Sequence, residues 1–431
     1  MTASLRIVRV AALAMLALTV AAGLARAQVA FETQAREAIL LDATTGAVLF
    51  EKNPDTPMPP ASMSKLMTTY MVFEAIKEGR LRLEDRLPVS ERAWKMGGSK
   101  MWVMVGEQIR VADLLRGVIV QSGNDACIVL AEALAGSEEA FADRMTRRAR
   151  ELGFQTSTFR NATGWPAEGH QMTAREVALL SRRIIEEFPD LYPIYSETSF
   201  TWEGITQENR NPLLYTDIGA DGLKTGHTEE AGYGLAGSAV RDGRRLIVVV
   251  TGLPSTRDRA QESQRLLRWG FSEFDNVQLF KKGETVDVAE VWAGDAETVP
   301  LVVADDITVT LPVIARDGVS VTASYVGPIQ APVAAGTRVG TLRIAMPDRA
   351  DVELPLYAGA DVGKAGLMGR LKAAASYAVH SVLGNGPPCP DRRRHRVARP
   401  GASSPSRAGR GRASRPRSVC SPAIWKGQAI A

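Results

Sequence analysis

Apolar positions recur along this chain in two rhythms that alternate in blocks. From Ala38 to Phe50 two apolar runs flank Thr44-Thr45-Gly46, which predicts a β-hairpin. Helical spacing follows. Ser62 to Glu78 is apolar enough to be a buried helix and stops at Gly79, while Val111 to Val120 and Asp125 to Ala135 predict two short helices joined at Gln121-Ser122-Gly123-Asn124. Phe141, Met145, Ala149 and Leu152 mark another helix, closed by Gly153; Thr173 and Glu176 have capping-box spacing at the start of one that Pro189 ends. Strand rhythm returns at Gly234–Val240 and Leu246–Thr251 around an Asp242-Gly243 turn, and an amphipathic helix then runs through Leu266, Leu267 and Phe271.

Strands, a helical block and strands again predict an α+β domain over residues 28–274. Its antiparallel sheet is assembled from both ends of the domain, with helices on its faces. After Asn276 short Val/Ile/Thr runs cut by turns at Gly283, Gly294, Asp317-Gly318 and Gly336 predict a small all-β sandwich over 276–357. Within 360–384, Leu367 to Leu383 reads as a helix with Leu367, Leu371, Ala374, Ala378 and Val382 on one side and Lys364, Arg370 and Lys372 near its start. Such a helix suits a membrane surface or the face of its own domain.

The two ends differ in kind from the middle. Residues 1–27 combine Arg6 and Arg9, an apolar stretch from Val10 to Leu24 and an Ala25-Arg26-Ala27 cleavage site, the pattern of a secretory signal peptide, so the mature protein is expected outside the cytoplasm. Residues 385–431 are Pro-, Arg-, Ser- and Gly-rich, too poor in apolar side chains to fold, and are expected to be a disordered basic tail. The formal charge of +4 conceals this division. Removing the three basic residues of the leader, and the eleven of the tail with its single Asp391, leaves 38 bases against 47 acids. The middle is therefore acidic, which argues against nucleic acid as a partner despite a pI near 9.0. Three cysteines, Cys127, Cys389 and Cys420, are too few for a disulfide framework, and a 45% apolar composition with mean hydropathy −0.08 excludes a polytopic membrane protein.

The chain holds no H-E-x-x-H, no G-x-S-x-G and no G-x-x-x-x-G-K-[ST], so metal hydrolysis and phosphoryl transfer lack their usual signatures, and no metal or cofactor is expected. Three short motifs remain: Ser62-Met63-Ser64-Lys65, Ser122-Gly123-Asn124 and Lys224-Thr225-Gly226. A serine and a lysine at fixed offset are common, but Ser62 follows Pro59-Pro60 at a helix start, where free N–H groups favour a developing oxyanion. Lys65 lies three residues on, on the same face. A serine hydroxyl needs a base, and lysine serves only when burial or a second cation brings its pKa down; Lys224 is the candidate cation.

With these motifs in this order, and with PPASMSKLMT, VADLLRGVIVQSGNDACIVLAEALAGS, ENRNPLLY, DGLKTGHTEEAGY and RAQESQRLLRWGF around them, the chain resembles the low-molecular-mass penicillin-binding proteins that are serine-type D-Ala-D-Ala carboxypeptidases. The resemblance covers most of residues 30–274, and the leader, β module and terminal helix match the family's layout; the basic tail does not. It implies the penicillin-binding/β-lactamase-like transpeptidase fold, with Ser62 as nucleophile, Lys65 as base, Ser122 passing a proton to the leaving amine, and Asn124 holding Lys65 and the substrate amide. It further implies an oxyanion hole from the Ser62 and His227 N–H groups. Thr225, Gly226, His227, Arg210 and Arg259 become the substrate-binding residues, Thr225 and the two arginines holding the terminal carboxylate.

The partners it implies are peptidoglycan stem peptides ending in D-Ala-D-Ala, β-lactams as covalent inhibitors, and a peripheral contact with the outer face of the cytoplasmic membrane from the periplasm. Three alternatives stay open from sequence: a DD-endopeptidase, a β-lactamase, and a non-catalytic wall-binding scaffold. Cys127 among apolar neighbours reads as a core thiol, His170 as structural or exposed, and Gly97-Gly98-Ser99-Lys100 as a flexible loop.

Overall fold

A five-stranded antiparallel sheet organises the first part of the molecule: β1 (Glu37–Asp42), β2 (Val48–Lys52), β3 (Ala220–Thr228), β4 (Gly232–Arg241) and β5 (Arg244–Leu253), in the order β2-β1-β5-β4-β3. The computed structural model describes residues 31–346, 351–367 and 391–396. The expected leader over 1–27 and, Leu367 apart, the expected helix to Leu383 lie outside the described residues. β1 pairs with β5, Leu40 facing Val248, so the two ends of the domain meet in mid-sheet as the element order predicts.

Successive side chains of a strand point to opposite faces. Ile39, Leu41, Ile247 and Val249 accordingly enter one core and Ala38, Leu40, Leu246, Val248 and Val250 the other. The second core is closed by Leu266 and Leu267 of α6 (Thr256–Glu273). The first is built with α1 (Lys65–Lys77), α2 (Val111–Ile119), α3 (Asn124–Ala135), α4 (Glu138–Glu151) and α5 (Ala174–Glu187). α1 is buried nearly all round, from Leu66 and Met67 to Tyr70, Val72 and Phe73, which is why its sequence lacks a polar face. It is preceded by a 3-10 turn, Ala61–Ser64, so Ser62 stands one turn ahead of the α-helix it was expected to begin.

Local readings change where tertiary contacts outbid turn or cap chemistry. Thr173 caps α5 through its hydroxyl, which accepts the Glu176 N–H at 3.1 Å, but Glu176 turns away to Thr156 N (2.8 Å) and Ser157 Oγ (2.6 Å), leaving half a capping box. The Asp221-Gly222 pair reads as a turn by its residue types, yet it lies within β3, where Tyr192 Oη (2.7 Å) and Arg245 Nη1 (2.8 Å) hold the Asp221 carboxylate.

The chain divides into two compact units whose border is not the simple one at residue 276. β6 (Phe274–Phe280) and β9 (Ile307–Pro312) pair with each other and belong to the first unit, where Thr310 Oγ1 meets Thr45 Oγ1 at 2.5 Å and Asn276 Nδ2 donates to Asp42 Oδ1 at 3.3 Å. The second unit contains β7 (Thr285–Trp292), β8 (Thr298–Val302), β10 (Ser320–Gly327), β11 (Ile329–Gln330), β12 (Arg338–Ala345), β13 (Val352–Ala358) and β14 (Asp391–Arg396). They form one sheet in the order β11-β7-β8-β13-β12-β10-β14. β7 and β10 come into contact although three strands separate them in that order, so the expected sandwich is a single sheet curled on itself.

Two expectations for this unit are corrected. Its chain continues beyond 357, with Val362 bridged to Val333 and the Ala365 N–H bonded to the Ala293 carbonyl at 2.9 Å. Residues 391–396 of the tail expected to be disordered form β14, antiparallel to β10. Backbone pairing along an open strand edge is indifferent to side-chain composition, the property on which the expectation of disorder rested.

Candidate active site

The three motifs converge at the edge of the five-stranded sheet. Ala61 adopts a left-handed φ of +47°, which throws the chain from Pro59-Pro60 into the 3-10 turn and presents Ser62. Lys65, the first residue of α1, is fully buried, and its Nζ reaches Ser62 Oγ (2.9 Å), Asn124 Oδ1 (2.8 Å) and the Thr163 carbonyl oxygen (2.6 Å). Asn124 begins α3; its Nδ2 donates to the Gly97 carbonyl at 2.9 Å, which aims Oδ1 at the lysine.

These contacts decide what a neutral Lys65 does. An amine has two N–H groups and one lone pair. Asn124 Oδ1 and Thr163 O can only accept, so they take both N–H groups. The lone pair is left for Ser62, the one partner able to donate. Burial brings the Lys65 pKa down to about 8, with Arg210 pushing the same way and Cys127, Asp125 and Glu138 pulling back. The sequence reading assigned that second cation to Lys224. Lys224 is itself driven well below the ordinary lysine range, by burial first and then by Lys65 and Arg210, so Arg210 acts on both lysines.

β3 is an edge strand, the position at which an extended ligand adds to a sheet by backbone pairing. Lys224, Thr225 and Gly226 are buried along it, with Lys224 Nζ donating to the Thr225 carbonyl at 3.2 Å. Glycine at 226 is what lets the strand close on the serine turn, because a Cβ there would stand 2.9 Å from the Pro60 carbonyl oxygen. His227 is exposed and stacks on Tyr233 with centroids 3.9 Å apart; the Arg259 guanidinium lies 5.7 Å from the Tyr233 ring centre. Arg259 is buried and its Nε has no partner among the described residues, while Arg210, open to solvent, donates to Ser99 Oγ at 2.5 Å. Lys65, Lys224, Arg210 and Arg259 thus form one cationic cluster, each weakening a neighbour's charge.

Ser122 is buried at the α2–α3 joint with φ +59°, and among the described residues no hydrogen bond ties its hydroxyl to Lys65 or Lys224. Cys127 is a buried thiol pushed up to about 12 by burial. His170 is structural: Nε2 meets Ser64 Oγ at 2.7 Å, Nδ1 accepts the Arg160 N–H at 3.2 Å, and burial followed by Arg160 lowers its pKa to about 4. The loop from Gly97 to Lys100 borders the site and is held there, with Ser99 O accepting the Asn124 N–H at 2.7 Å.

Sequence reasoning missed Thr163 and its support. Asn161 Oδ1 accepts N–H groups from Thr163 (3.1 Å), Gly164 (2.8 Å) and Trp165 (3.1 Å), an Asx turn that holds the Thr163 carbonyl toward Lys65. The Asn-x-Thr-Gly run was the available signal. Gly164 is indispensable to the packing, since a Cβ there would stand 1.8 Å from the Ala61 carbonyl oxygen.

Residues 24–255 match the family described as D-alanyl-D-alanine carboxypeptidase, and residues 274–364 match the penicillin-binding protein 5 C-terminal domain. The chain is similar to the D-alanyl-D-alanine carboxypeptidase DacD of Salmonella typhimurium, 39% identical over 343 residues that are 77% of this chain and 87% of that one. Penicillin-binding protein 5 of Haemophilus influenzae, a solved structure, is 36% identical with a TM-score of 0.71 over 78% of this chain and 99% of its own. Penicillin-binding protein D2 of Listeria monocytogenes in its ampicillin-bound form is 31% identical with a TM-score of 0.52, over 56% of this chain and 99% of its own.

Proposed function

As the chain belongs to the family of serine-type D-alanyl-D-alanine carboxypeptidases, we propose that Ser62 is the nucleophile and neutral Lys65 its base. The observation that carries this reading is the three-contact setting of Lys65 Nζ, which leaves its lone pair only Ser62 Oγ to face. Ser62 Oγ gives its proton to Lys65 and bonds the carbonyl carbon of the penultimate D-alanine. The tetrahedral oxyanion that forms is held by the Ser62 and His227 N–H groups, each such donor worth about 3 kcal/mol. Collapse breaks the peptide bond, the leaving D-alanine nitrogen takes a proton relayed through Ser122 from the lysines, and water then hydrolyses the acyl-enzyme ester.

Recognition follows from charge and shape. The substrate's terminal carboxylate fits the cationic cluster, with Thr225, Arg210 and Arg259 as its partners and the free Nε of Arg259 an unfilled donor among the described residues. The peptide backbone extends along the Thr225–His227 edge of β3. A β-lactam, with an amide carbonyl near a carboxylate, is held the same way and acylates Ser62. Glu138 lies near Lys65 electrostatically but is engaged by the Ala162 N–H (3.1 Å) and Arg92 (2.7 Å), which disfavours it as a base for fast release and favours a carboxypeptidase over a β-lactamase.

The leader over 1–27 would export the chain to the periplasm, and the helix from Leu367 to Leu383 would attach it to the outer face of the cytoplasmic membrane. Among the described residues no helix is long and apolar enough to cross a membrane. The reading is tested with purified protein and a pentapeptide ending in D-Ala-D-Ala, a cross-linked dimer run beside it. Release of D-alanine from the pentapeptide, lost in Ser62→Ala, is expected; release from the dimer alone makes the enzyme an endopeptidase, and release by the Ser62→Ala variant removes Ser62 from its role.

A further inference from the structure

The backbone segment that meets Lys65 from outside α1 is pinned at several points. Thr163 gives the lysine its carbonyl, and Ala162, just before it, is tied in two directions: its carbonyl accepts from Thr68 Oγ1 at 2.7 Å, and its N–H donates to Glu138 Oε1 at 3.1 Å. Thr68 lies one turn beyond Lys65 on α1, so α1 holds one side of the segment and Glu138, the first residue of α4, holds the other. Glu138 is buried. Its second oxygen accepts from Arg92 Nη2 at 2.7 Å, and the same nitrogen reaches Glu139 Oε1 at 2.7 Å. Arg92 stands on a short helix, Glu91–Lys95, with its side chain 47% exposed. Contacts therefore run from the surface to the lysine through Arg92, Glu138 and the Ala162–Thr163 backbone.

The groups that face Lys65 come from several elements. Arg210 opposes its ammonium, as Lys224 does in mutual repulsion. The Cys127 thiol, pushed up to about 12, and the His170 imidazole, lowered to about 4, are neutral near pH 7. Two carboxylates pull the other way, Asp125 and Glu138. Asp125 is wholly buried with backbone N–H groups on both oxygens, which leaves its charge no mobile partner. Glu138 differs, because it shares its charge with an arginine that is half in solvent. How much of that charge reaches Lys65 depends on Arg92.

We propose that Glu138 is a positioning residue for the base: it holds the Thr163 carbonyl to Lys65 through the Ala162 N–H, and its charge, offset by Arg92, sets the pH above which Lys65 takes the Ser62 proton. The proposal rests on the reading of Lys65 as base and adds the residues that tune it. The two partners act with opposite sign. Glu138→Gln keeps an oxygen for the Ala162 N–H but removes a negative charge, which favours the neutral amine and moves the midpoint of acylation to lower pH. Arg92→Met leaves Glu138 without its counter-charge, which favours the ammonium and moves the midpoint to higher pH. A structural role alone would change the rate and leave the midpoint in place.

The test is the rate of benzylpenicillin adduct formation from pH 6 to 9.5 in the parent, Glu138→Gln, Glu138→Ala and Arg92→Met. The midpoint should move by about half to one pH unit, down in Glu138→Gln and up in Arg92→Met, with little change in the plateau rate. At pH 7 the Gln variant is then faster than the parent, and the Met variant slower, by about three- to tenfold. Glu138→Ala also strands the Ala162 N–H, so it should share the downward shift and lose at least about tenfold in plateau rate, a loss that Gln restores. Midpoints within about 0.2 pH unit of the parent's, or moving the same way in the Gln and Met variants, overturn the charge role. An Ala variant with the plateau of the Gln variant overturns the positioning role. A parent that forms no adduct, or whose rate does not vary with pH, is a separate result and overturns the reading of Ser62 and Lys65 beneath the proposal.

Discussion

Lys65 sits where a charge is hard to keep, and that difficulty is what suits it to the proposed role of base. Below pH 8 its ammonium dominates and has no lone pair to accept the Ser62 proton. The rate of Ser62 acylation should therefore fall about tenfold per pH unit below 8 and level off above it, read as penicillin adduct against time from pH 6 to 9.5. A rate flat across that range would contradict the role. Lys65→Arg keeps the charge and cannot shed it, so acylation should drop at least about a hundredfold; a variant within tenfold of the parent removes lysine as the base. Gly164→Ala forces a methyl onto the Ala61 carbonyl and must move either the serine turn or the Thr163 strap. It should slow acylation at least about tenfold even where urea titration shows the fold retained. Ser62, Lys65 and Asn124, which the fold brings together, were legible in sequence as candidates because the chemistry proposed for them is in their side chains. Thr163 was not, because it contributes a carbonyl, a group every residue has.

Elements deliver these residues by how they end. α3 begins at Asn124, and the next residue, Asp125, turns its carboxylate back to accept the N–H groups of Met101 (2.8 Å), Trp102 (2.9 Å) and Val103 (3.3 Å). One buried carboxylate thus ties the extended segment after the Gly97–Lys100 loop to the helix that carries Asn124. Asp125→Ala would strand three N–H groups, each worth about 1–3 kcal/mol when buried and unpaired, and should cost at least about 3 kcal/mol in urea unfolding while slowing acylation. A loss under 1 kcal/mol would mean the loop is held otherwise. Element type was readable from hydrophobic period where one face is buried, as in α4 and α5. Errors fell where a side chain with strong local habits found a remote partner, as at Asp221 and Glu176.

For the whole molecule, the division into an acidic middle and basic ends is plain in the sequence, but the border between the units is not, because β6 and β9 carry the β-rich texture of the second unit while bonding to the β1–β2 turn of the first. The second unit also needs its chain as far as Ala365. A chain ending at Gly366 should keep full turnover of soluble peptide, since every proposed catalytic residue precedes β6, yet should no longer sediment with anionic vesicles. The full chain and one ending at Gly384 should both sediment, less in high salt. Binding lost on removal of the tail alone would assign attachment to the arginines beyond Asp391 instead of the helix. The central claim, that Ser62 forms the acyl-enzyme, is tested most directly by intact-mass spectrometry of the protein mixed with benzylpenicillin, followed by peptide mapping. The account predicts a single adduct on the peptide containing Ser62 and none on Ser62→Ala; an adduct on that variant, or a parent left unmodified, would contradict it.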